Sequence, residues 1–253
     1  MRLWLVTVII LIGLSSSVFA DNKRIILPTV SSLPVHITET GEAKANLIVI
    51  IGGVGIKNEE GKSKNFLVTM KEKFIEKNLN LFLFPNWSSS EKAGYSLRAS
   101  KKRARRILNL VKEINLRNNL PVYLIGFSRG SVDVASFSNF FSKTIDGIIL
   151  ASGIYTNTSK KAELFTMEKL IGSEVNNAVL VVHHEKDACK VTSFAYAKKF
   201  YKKLKAPRKT MFKYKSGGTS GRECGPKHYH GFENIGEQVA EDIAKWIVVD
   251  SLR

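Results

Sequence analysis

Cysteine is nearly absent from this sequence, and acidic residues are scarce. Two cysteines in 253 residues cannot build a disulfide-dense scaffold or a four-cysteine zinc site. The 22 acidic residues are outnumbered by 39 lysines and arginines, which leaves a formal charge of +17. Hydrophobic residues make up 44% and charged residues 24%, a balance that excludes a disordered chain and a multi-span membrane protein.

Long apolar runs are also missing, except at the N-terminus. Residues 3–14 are mostly apolar and follow Arg2, and a serine run and then Val-Phe-Ala at 18–20 complete the layout of a secretory signal peptide. The run is shorter than the roughly eighteen residues of a spanning helix, so cleavage after Ala20 is favoured over a retained membrane anchor. We therefore expect a periplasmic or secreted protein whose mature chain starts near Asp21.

The rest of the chain contains no repeat, no low-complexity tract and no linker rich in Pro, Gly or Ser, so residues 21–253 predict a single domain. Apolar runs without strict alternation are typical of strands that are covered on both faces. They lie at residues 45–51, 81–84, 122–125, 147–150, 178–182 and, more weakly, 210–215. Apolar stripes at helical spacing lie at residues 66–74, 107–114, 134–141 and 235–246.

This alternation predicts the α/β class: a doubly wound, mostly parallel sheet with helices on both faces. Residues 24–40 are expected to add one or two short antiparallel strands at the sheet edge. Residues 154–177, between two predicted strands, leave room for at most a small lid.

The sharpest motif is the G-x-S-x-G of residues 126–130, Gly-Phe-Ser-Arg-Gly, which follows a predicted strand and precedes a predicted helix. A serine on such a tight turn has a strained backbone, and flanking side chains would collide there. The two glycines relieve this crowding and leave the hydroxyl of Ser128 exposed above the sheet. A helix that starts at Ser128 would also point its positive end at a developing oxyanion. Ser128 is therefore the predicted nucleophile.

A candidate acid lies in the loop after the strand predicted at 178–182. Asp187 is favoured over Glu185, because Glu185 lies so close to the strand that its short loop would aim it less freely. The structural alternative is that Asp187 caps a helix that starts near Thr192, although it stands rather early for a cap.

A candidate base lies in the loop before the C-terminal helix. His230 is favoured, because the following Gly231 and Phe232 suit a tight turn with an apolar anchor, and His228 remains the alternative. Of the other histidines, His36 is expected to have a structural role. The pair at 183–184 stands at the wrong place for a base, although one of the two could line the site.

The order Ser128, Asp187, His230 along the chain is that of α/β-hydrolases, and the sequence resembles this superfamily over nearly all of residues 21–253. The resemblance implies a serine hydrolase that cleaves an ester or related acyl bond through a Ser-His-Asp triad and an acyl-enzyme. A carboxylic-ester hydrolase is the favoured class, and a site with so small a lid favours small or polymeric esters.

The resemblance also implies an oxyanion loop at Gly52-Gly53-Val54-Gly55, directly after the strand predicted at 45–51. Its donors would be the amide of Val54 or Gly53 and the amide of Arg129. The sequence departs from the HGGG type of this loop, because Ile51 stands where a histidine often precedes the glycine pair.

No cofactor is expected. The histidines and acids of residues 183–187 lack the helical His-Glu spacing of a metal site, and residues 52–55 match neither G-x-G-x-x-G nor a P-loop. The basic clusters at 101–106 and 198–209 alternate with apolar helix positions, so we interpret them as solvated helix faces and expect no nucleic-acid partner. In an exported protein, an anionic envelope surface or an anionic polymer is the acidic partner that such faces would meet.

Two other functions stay open. A non-catalytic binding protein on the same scaffold could use its basic face, although it would have no need of all three triad groups. A peptidase of the same fold cannot be separated from an esterase by sequence, and the oligomeric state is not indicated.

The last expectation is a disulfide between Cys189 and Cys224. Cys189 lies two residues after Asp187 and Cys224 six residues before His230, and the proposed fold gathers both loops at one end of the sheet. Export would allow oxidation, and the bridge would tie the acid loop to the base loop. The alternative is two buried free thiols.

Overall fold

The computed structural model describes residues 20–156 and 158–253, so the predicted signal peptide, residues 1–20, lies outside the described part except for Ala20. The strands are β1 (Ala20–Ile25), β2 (Val35–Thr40), β3 (Ala45–Ile50), β4 (Leu79–Leu83), β5 (Val122–Phe127), β6 (Gly147–Ala151), β7 (Ala178–His184) and β8 (Lys209–Tyr214). The helices are α1 (Phe66–Thr69), α2 (Lys71–Ile75), α3 (Tyr95–Arg98), α4 (Lys101–Arg117), α5 (Gly130–Phe141), α6 (Met167–Ile171), α7 (Phe194–Lys203) and α8 (Gly236–Ser251). None of these helices has the length and apolar character needed to cross a membrane.

The strands form one sheet in the order β1-β2-β4-β3-β5-β6-β7-β8. The pairs β1–β2 and β2–β4 are antiparallel, and every other pair is parallel. The predicted fold class is therefore confirmed. β2 is the antiparallel strand expected within residues 24–40, whereas most of β1 precedes that range. The carboxyl ends of β3, β5, β6 and β7 all point to one edge of the sheet, which is where an open α/β sheet binds its ligands.

The hydrophobic core lies in two layers, one on each face of the sheet. Helices α4, α5, α6 and α7 supply apolar side chains to one layer, and α1, α2 and α8 to the other. β3 and β5 are buried at every position because helices cover both of their faces. Their continuous apolar sequence follows from this double cover.

Two helix boundaries differ from the sequence expectation. The apolar stripe of residues 66–74 is divided into the short helices α1 and α2 at Met70, whose ψ of 22° departs from the helical value. Helix α5 begins at Gly130 and not at Ser128, which stands with a φ of +52° outside the helix. Between β6 and β7, the described residues 154–156 and 158–177 contain a single helix, the five-residue α6.

The basic cluster of α4 is only in part the solvated face that the sequence predicted: Lys101, Lys102 and Arg105 are exposed, but two arginines are not. Arg103 and Arg106 are only 1% and 6% exposed. Arg103 pairs with Asp133 of α5 and, at 3.0 Å, with Glu91, while Arg106 lies 3.1 Å from the same Glu91. The desolvation of a buried charge costs several kcal/mol unless the charge is paired. The carboxylates therefore allow the two arginines to be buried in the core layer. The lysines of α7, by contrast, are exposed as expected.

Candidate active site

Ser128 lies on a sharp turn between β5 and α5. Its φ is +52°, and its backbone N–H donates to the carbonyl of Ala151 at 2.9 Å. The left-handed conformation of a non-glycine residue is unfavourable by roughly 1–2 kcal/mol, and contacts in the surrounding structure must compensate for this strain. A side chain at Gly126 would collide with the backbone of Gly130, and a side chain at Gly130 with the backbone of Ile50. The glycines of the motif therefore have the steric role that the sequence predicted.

His230 lies in a single 3-10 turn, Tyr229–Gly231, just ahead of α8. Its Nδ1 is 3.0 Å from a carboxylate oxygen of Asp187, and the residue is fully buried. Its Nε2 has no hydrogen-bond partner among the described residues. The ring packs against Phe127, next to Ser128, with 5.0 Å between the ring centres. An imidazole held at Nδ1 and unengaged at Nε2 is suited to take a proton at Nε2.

The turn that carries His230 is anchored on both sides. After it, Phe232 adopts a left-handed φ of +58° and packs its ring against Phe66, with 5.1 Å between the ring centres. The carbonyl of His230 accepts a hydrogen bond of 2.9 Å from the hydroxyl of Ser152. A tight turn with an apolar anchor at Phe232 was the sequence argument for His230.

Asp187 is buried, and each of its carboxylate oxygens accepts a hydrogen bond. One oxygen accepts from the backbone N–H of Cys189 at 2.9 Å, and the other faces His230 and accepts from the hydroxyl of Thr192 at 2.9 Å. Burial by itself would raise the pKa of Asp187, but the hydrogen bond and charge of His230 and the N–H of Cys189 outweigh it. The pKa of Asp187 is therefore held below its usual value, and the group is a carboxylate at neutral pH.

The two alternative residues lie elsewhere. The carboxylate of Glu185 is 3.8 Å from the ammonium of Lys215 at the surface, away from His230. The ring of His228 stands edge-on to Tyr229, and its Nδ1 has no partner among the described residues. The structure thus brings Asp187 to His230 and does not bring Glu185 or His228 into this pair.

The glycine loop of residues 52–55 lies directly against the Ser128 turn. A Cβ at Gly52 would stand 2.7 Å from the carbonyl oxygen of Phe127 and 2.8 Å from the Cβ of Ser128. Gly53 and Gly55 have φ of +58° and +79°, a conformation that glycine adopts at no steric cost. This loop, Ser128 and residues 63–65 line one cleft of about 200 Å³. The candidate donors on Gly53, Val54 and Arg129 therefore border the candidate nucleophile.

Asn86 supports this loop, and the sequence analysis missed it. Its side chain is fully buried and donates to the carbonyl of Val54 at 2.7 Å. Its backbone N–H donates to the carbonyl of Ile56 at 2.9 Å. A Cβ at Gly55 would collide with the Asn86 side chain, so the loop is fitted to this residue. The only signal in the sequence is an amide residue just beyond a strand end.

Thr192 was also missed. Its hydroxyl is 3.2 Å from Nδ1 of His230, besides its hydrogen bond to Asp187, and the residue is fully buried. Sequence reasoning used Thr192 only as a marker for the start of a helix, because a contact across 38 residues leaves no local pattern.

The remaining histidines have packing roles or line the same region. His183 is buried with its Nε2 3.9 Å from Asp187, on β7, and His184 stacks on Tyr229 with 4.4 Å between the ring centres. Burial lowers the pKa of both histidines below the usual value. His36, on β2, lies 2.8 Å from the carbonyl oxygen of Glu59. Within the described ranges, no three His, Cys, Asp or Glu side chains converge as metal ligands would.

Cys189 and Cys224 form a disulfide, as the sequence predicted. Cys189 donates its N–H to Asp187, while Cys224 lines the cleft that contains Ser128. The bridge therefore joins the acid loop to the wall of the cleft.

Comparison with known proteins gives structural relatives but no sequence relatives: no protein-family model and no curated protein matches the chain. Est1E from Butyrivibrio proteoclasticus superposes with a TM-score of 0.64 at 13% identity, over 92% of this chain and 99% of that one. A dienelactone hydrolase from Anabaena variabilis gives 0.63 at 13% identity, over 91% and 98% of the two chains. A monoacylglycerol lipase from Paleococcus ferrophilus gives 0.62 at 13% identity, over 86% and 99%.

These similarities extend over nearly the full length of each relative. The sheet is mostly parallel, and the serine turn joins a strand to a helix, as the sequence predicted. The protein therefore has the α/β-hydrolase fold.

Proposed function

We propose that this protein is an exported serine hydrolase that cleaves a carboxylic ester through Ser128, His230 and Asp187. The observation that carries the proposal is the buried pair of His230 and Asp187, 3.0 Å apart, in which the Nε2 of His230 has no partner among the described residues. The strained turn at Ser128 directly follows Phe127, whose ring packs against His230, and this supports the assignment of the nucleophile. The names of the structural relatives, an esterase-type protein, a lipase and a dienelactone hydrolase, support the reaction class.

The proposed reaction has two halves. In the first, Nε2 of His230 takes the hydroxyl proton of Ser128 while the serine oxygen bonds to the ester carbonyl carbon. The tetrahedral intermediate then expels the alcohol, which receives that proton from His230. In the second half, His230 deprotonates a water that attacks the acyl-enzyme, and Ser128 leaves with the proton to release the carboxylic acid. Asp187, ionised at neutral pH, orients the imidazole and stabilises its protonated form.

The oxyanion would be held by the backbone amides of Arg129 and of Gly53 or Val54. Gly52 without a side chain allows this loop to approach the Ser128 turn, and Asn86 fixes the loop through the carbonyl of Val54. Removing one such donor from a site of this kind costs about 100- to 1,000-fold in rate. The cleft is about 200 Å³, and α6 is the only helix among the described residues between β6 and β7, which favours small esters or an exposed ester of a polymer.

Export is part of the proposal. The N-terminal signal pattern and the disulfide between Cys189 and Cys224 support it, because disulfides persist in oxidising compartments.

Fluorophosphonate labelling followed by a panel of short esters, thioesters and aminoacyl amides tests this function. We expect Ser128→Ala to abolish labelling and His230→Ala to lower ester turnover by orders of magnitude, because triad members act as a unit. His228→Ala is the matched control, two residues away, and should retain most activity. Labelling that persists in folded Ser128→Ala, or a larger loss in His228→Ala than in His230→Ala, would refute the assignment. Turnover of the amides alone would indicate a peptidase.

A further inference from the structure

A second cavity lies away from Ser128, at the antiparallel edge of the sheet. Its volume is about 450 Å³, against about 200 Å³ for the cleft at Ser128, and it falls within the range typical of small-molecule sites. It lies between the sheet and helix α1, under the loop of residues 57–62. Helices α1 and α2, of four and five residues, border the cavity through Leu67, Val68 and Lys71.

The inner wall of the cavity is apolar. Val49, Leu81 and Leu83 contribute from strands β3 and β4, and Leu67 and Val68 contribute from α1. The loop above is fitted to the cavity, since Gly61 has a φ of +65° and a Cβ there would stand 2.6 Å from the ring of His36. An occupant would therefore bury an apolar body against the sheet.

The mouth of the cavity is cationic. Arg24 from β1, Lys62 from the loop and Lys71 from α2 line it together with one acid, Glu60. Lys23 of β1 also lines the cavity, but its ammonium is already paired with Asp21 at 2.7 Å and with Glu39 at 3.1 Å. Among the described residues, no carboxylate lies within 4.0 Å of Arg24 or Lys62, and Lys71 has only its neighbour Glu72, at 3.5 Å. Nearby carboxylates therefore leave the positive charge of these three side chains available, and a bound anion would be stabilised by all three.

Polar groups between wall and mouth are already hydrogen bonded. The hydroxyl of Thr38 donates to the side chain of Asn22 at 2.8 Å, and Nζ of Lys71 donates to the same amide oxygen at 3.5 Å. His36 also lines the cavity, and its pKa is lowered first by burial and then by Arg24 and Lys71, so it is neutral at pH 7. The net charge that faces an occupant is therefore positive.

We propose that this cavity binds an amphipathic monoanion, a carboxylate on an apolar body such as a medium-chain fatty acid. The apolar wall would take the chain, and Arg24, Lys62 and Lys71 would hold the carboxylate at the mouth. The site is separate from Ser128, although the two share a boundary: Gly61 and Lys62 line this cavity, and residues 63–65 line the cleft at Ser128.

Isothermal titration of the purified protein with decanoate below its micellar concentration tests the proposal. We expect one-site binding that weakens about tenfold in Lys71→Glu, the equivalent of about 1.4 kcal/mol for one charge-assisted contact. Lys77→Glu makes the same change in net charge two residues after α2 ends, outside the cavity lining, and should bind as the unaltered protein does. Val68→Trp fills the cavity without changing charge and should abolish binding, while thermal unfolding verifies that each variant is folded.

Two further measurements distinguish binding at this site from binding in the cleft at Ser128 and from nonspecific hydrophobic binding. Decanol, which lacks the charge, should bind at least tenfold more weakly than decanoate. Ser128→Ala should bind decanoate unchanged whether or not the hydrolase proposal holds. Absence of binding, equal affinity for decanol, or affinity that is unaltered in both Lys71→Glu and Val68→Trp would overturn the proposal. Loss of binding in Ser128→Ala would assign the ligand to the other cleft and would also overturn it.

Discussion

Thr192 is the residue that connects the candidate acid and the candidate base. Its hydroxyl donates to Asp187 at 2.9 Å and lies 3.2 Å from Nδ1 of His230, in a fully buried position. The threonine thus restricts how the carboxylate can turn, which makes it a positioning residue for the proposed reaction. A buried hydrogen bond to a charged group contributes about 1.5–3 kcal/mol.

Replacing Thr192 by valine keeps its shape and removes the hydroxyl. We expect kcat for a short ester to fall roughly tenfold or more with KM little changed, and Thr192→Ser to retain most of the activity. The pH at which kcat/KM reaches half its plateau should shift in Thr192→Val, because the environment of His230 changes. Equal losses in the valine and serine variants, with an unshifted pH profile, would indicate a packing role only.

Asp187 also gives the stability of the fold a specific dependence on pH. An acid whose native pKa lies below its unfolded value of about 3.9 stabilises the fold above that value, and this contribution is lost as pH falls through the native pKa. The native pKa of Asp187 is lowered in this way. The free energy of unfolding, measured with urea between about pH 5 and pH 2, should therefore fall more steeply with decreasing pH for the unaltered protein than for Asp187→Asn. Parallel profiles would contradict this.

At the scale of elements, the disulfide joins the loop after β7 to the loop before α8. It closes a segment with a sequence separation of 35, for which the loss of unfolded-chain entropy corresponds to roughly 3–4 kcal/mol. Reduction should lower the melting temperature, and we expect esterase activity to fall first, because the loops loosen before the core unfolds. Cys189→Ala with Cys224→Ala should reproduce the reduced protein.

Thiol counting on the denatured, unreduced protein is the direct check of the bridge. Two free thiols would show that the disulfide does not form in the isolated protein. An oxidised protein whose unfolding free energy is unaffected by reduction would show that the bridge does not stabilise these loops.

The whole molecule is strongly basic. The proposed cleavage after Ala20 would remove only Arg2 among charged residues and leave +16. Because the lysines of α7 are exposed, we expect attachment to vesicles that contain phosphatidylglycerol and none to phosphatidylcholine vesicles. Exposed charges are screened over about 10 Å at 0.1 M salt. The fraction of protein that sediments with the vesicles should therefore decrease steeply as the salt concentration rises. Attachment that does not change with salt would exclude an electrostatic interaction.

The sequence by itself determined the strands, the sheet class and the turn at Ser128. These features are local: a doubly covered strand such as β3 needs a continuous apolar run, and a serine with a φ of +52° needs glycines beside it. The sequence also predicted the disulfide, since the order of elements brings both loops to one end of the sheet.

Tertiary structure alone decided which distant groups meet. Thr192 contacts Asp187 and His230, and Arg103 and Arg106 are buried against Asp133 and Glu91. None of these contacts leaves a periodic signal in the sequence, because each joins residues whose spacing the backbone does not fix. The cavity at the sheet edge is of the same kind. It depends on how far α1 and α2 reach across the sheet, and helix length at a packed edge is set by three-dimensional packing rather than by the local pattern of residues.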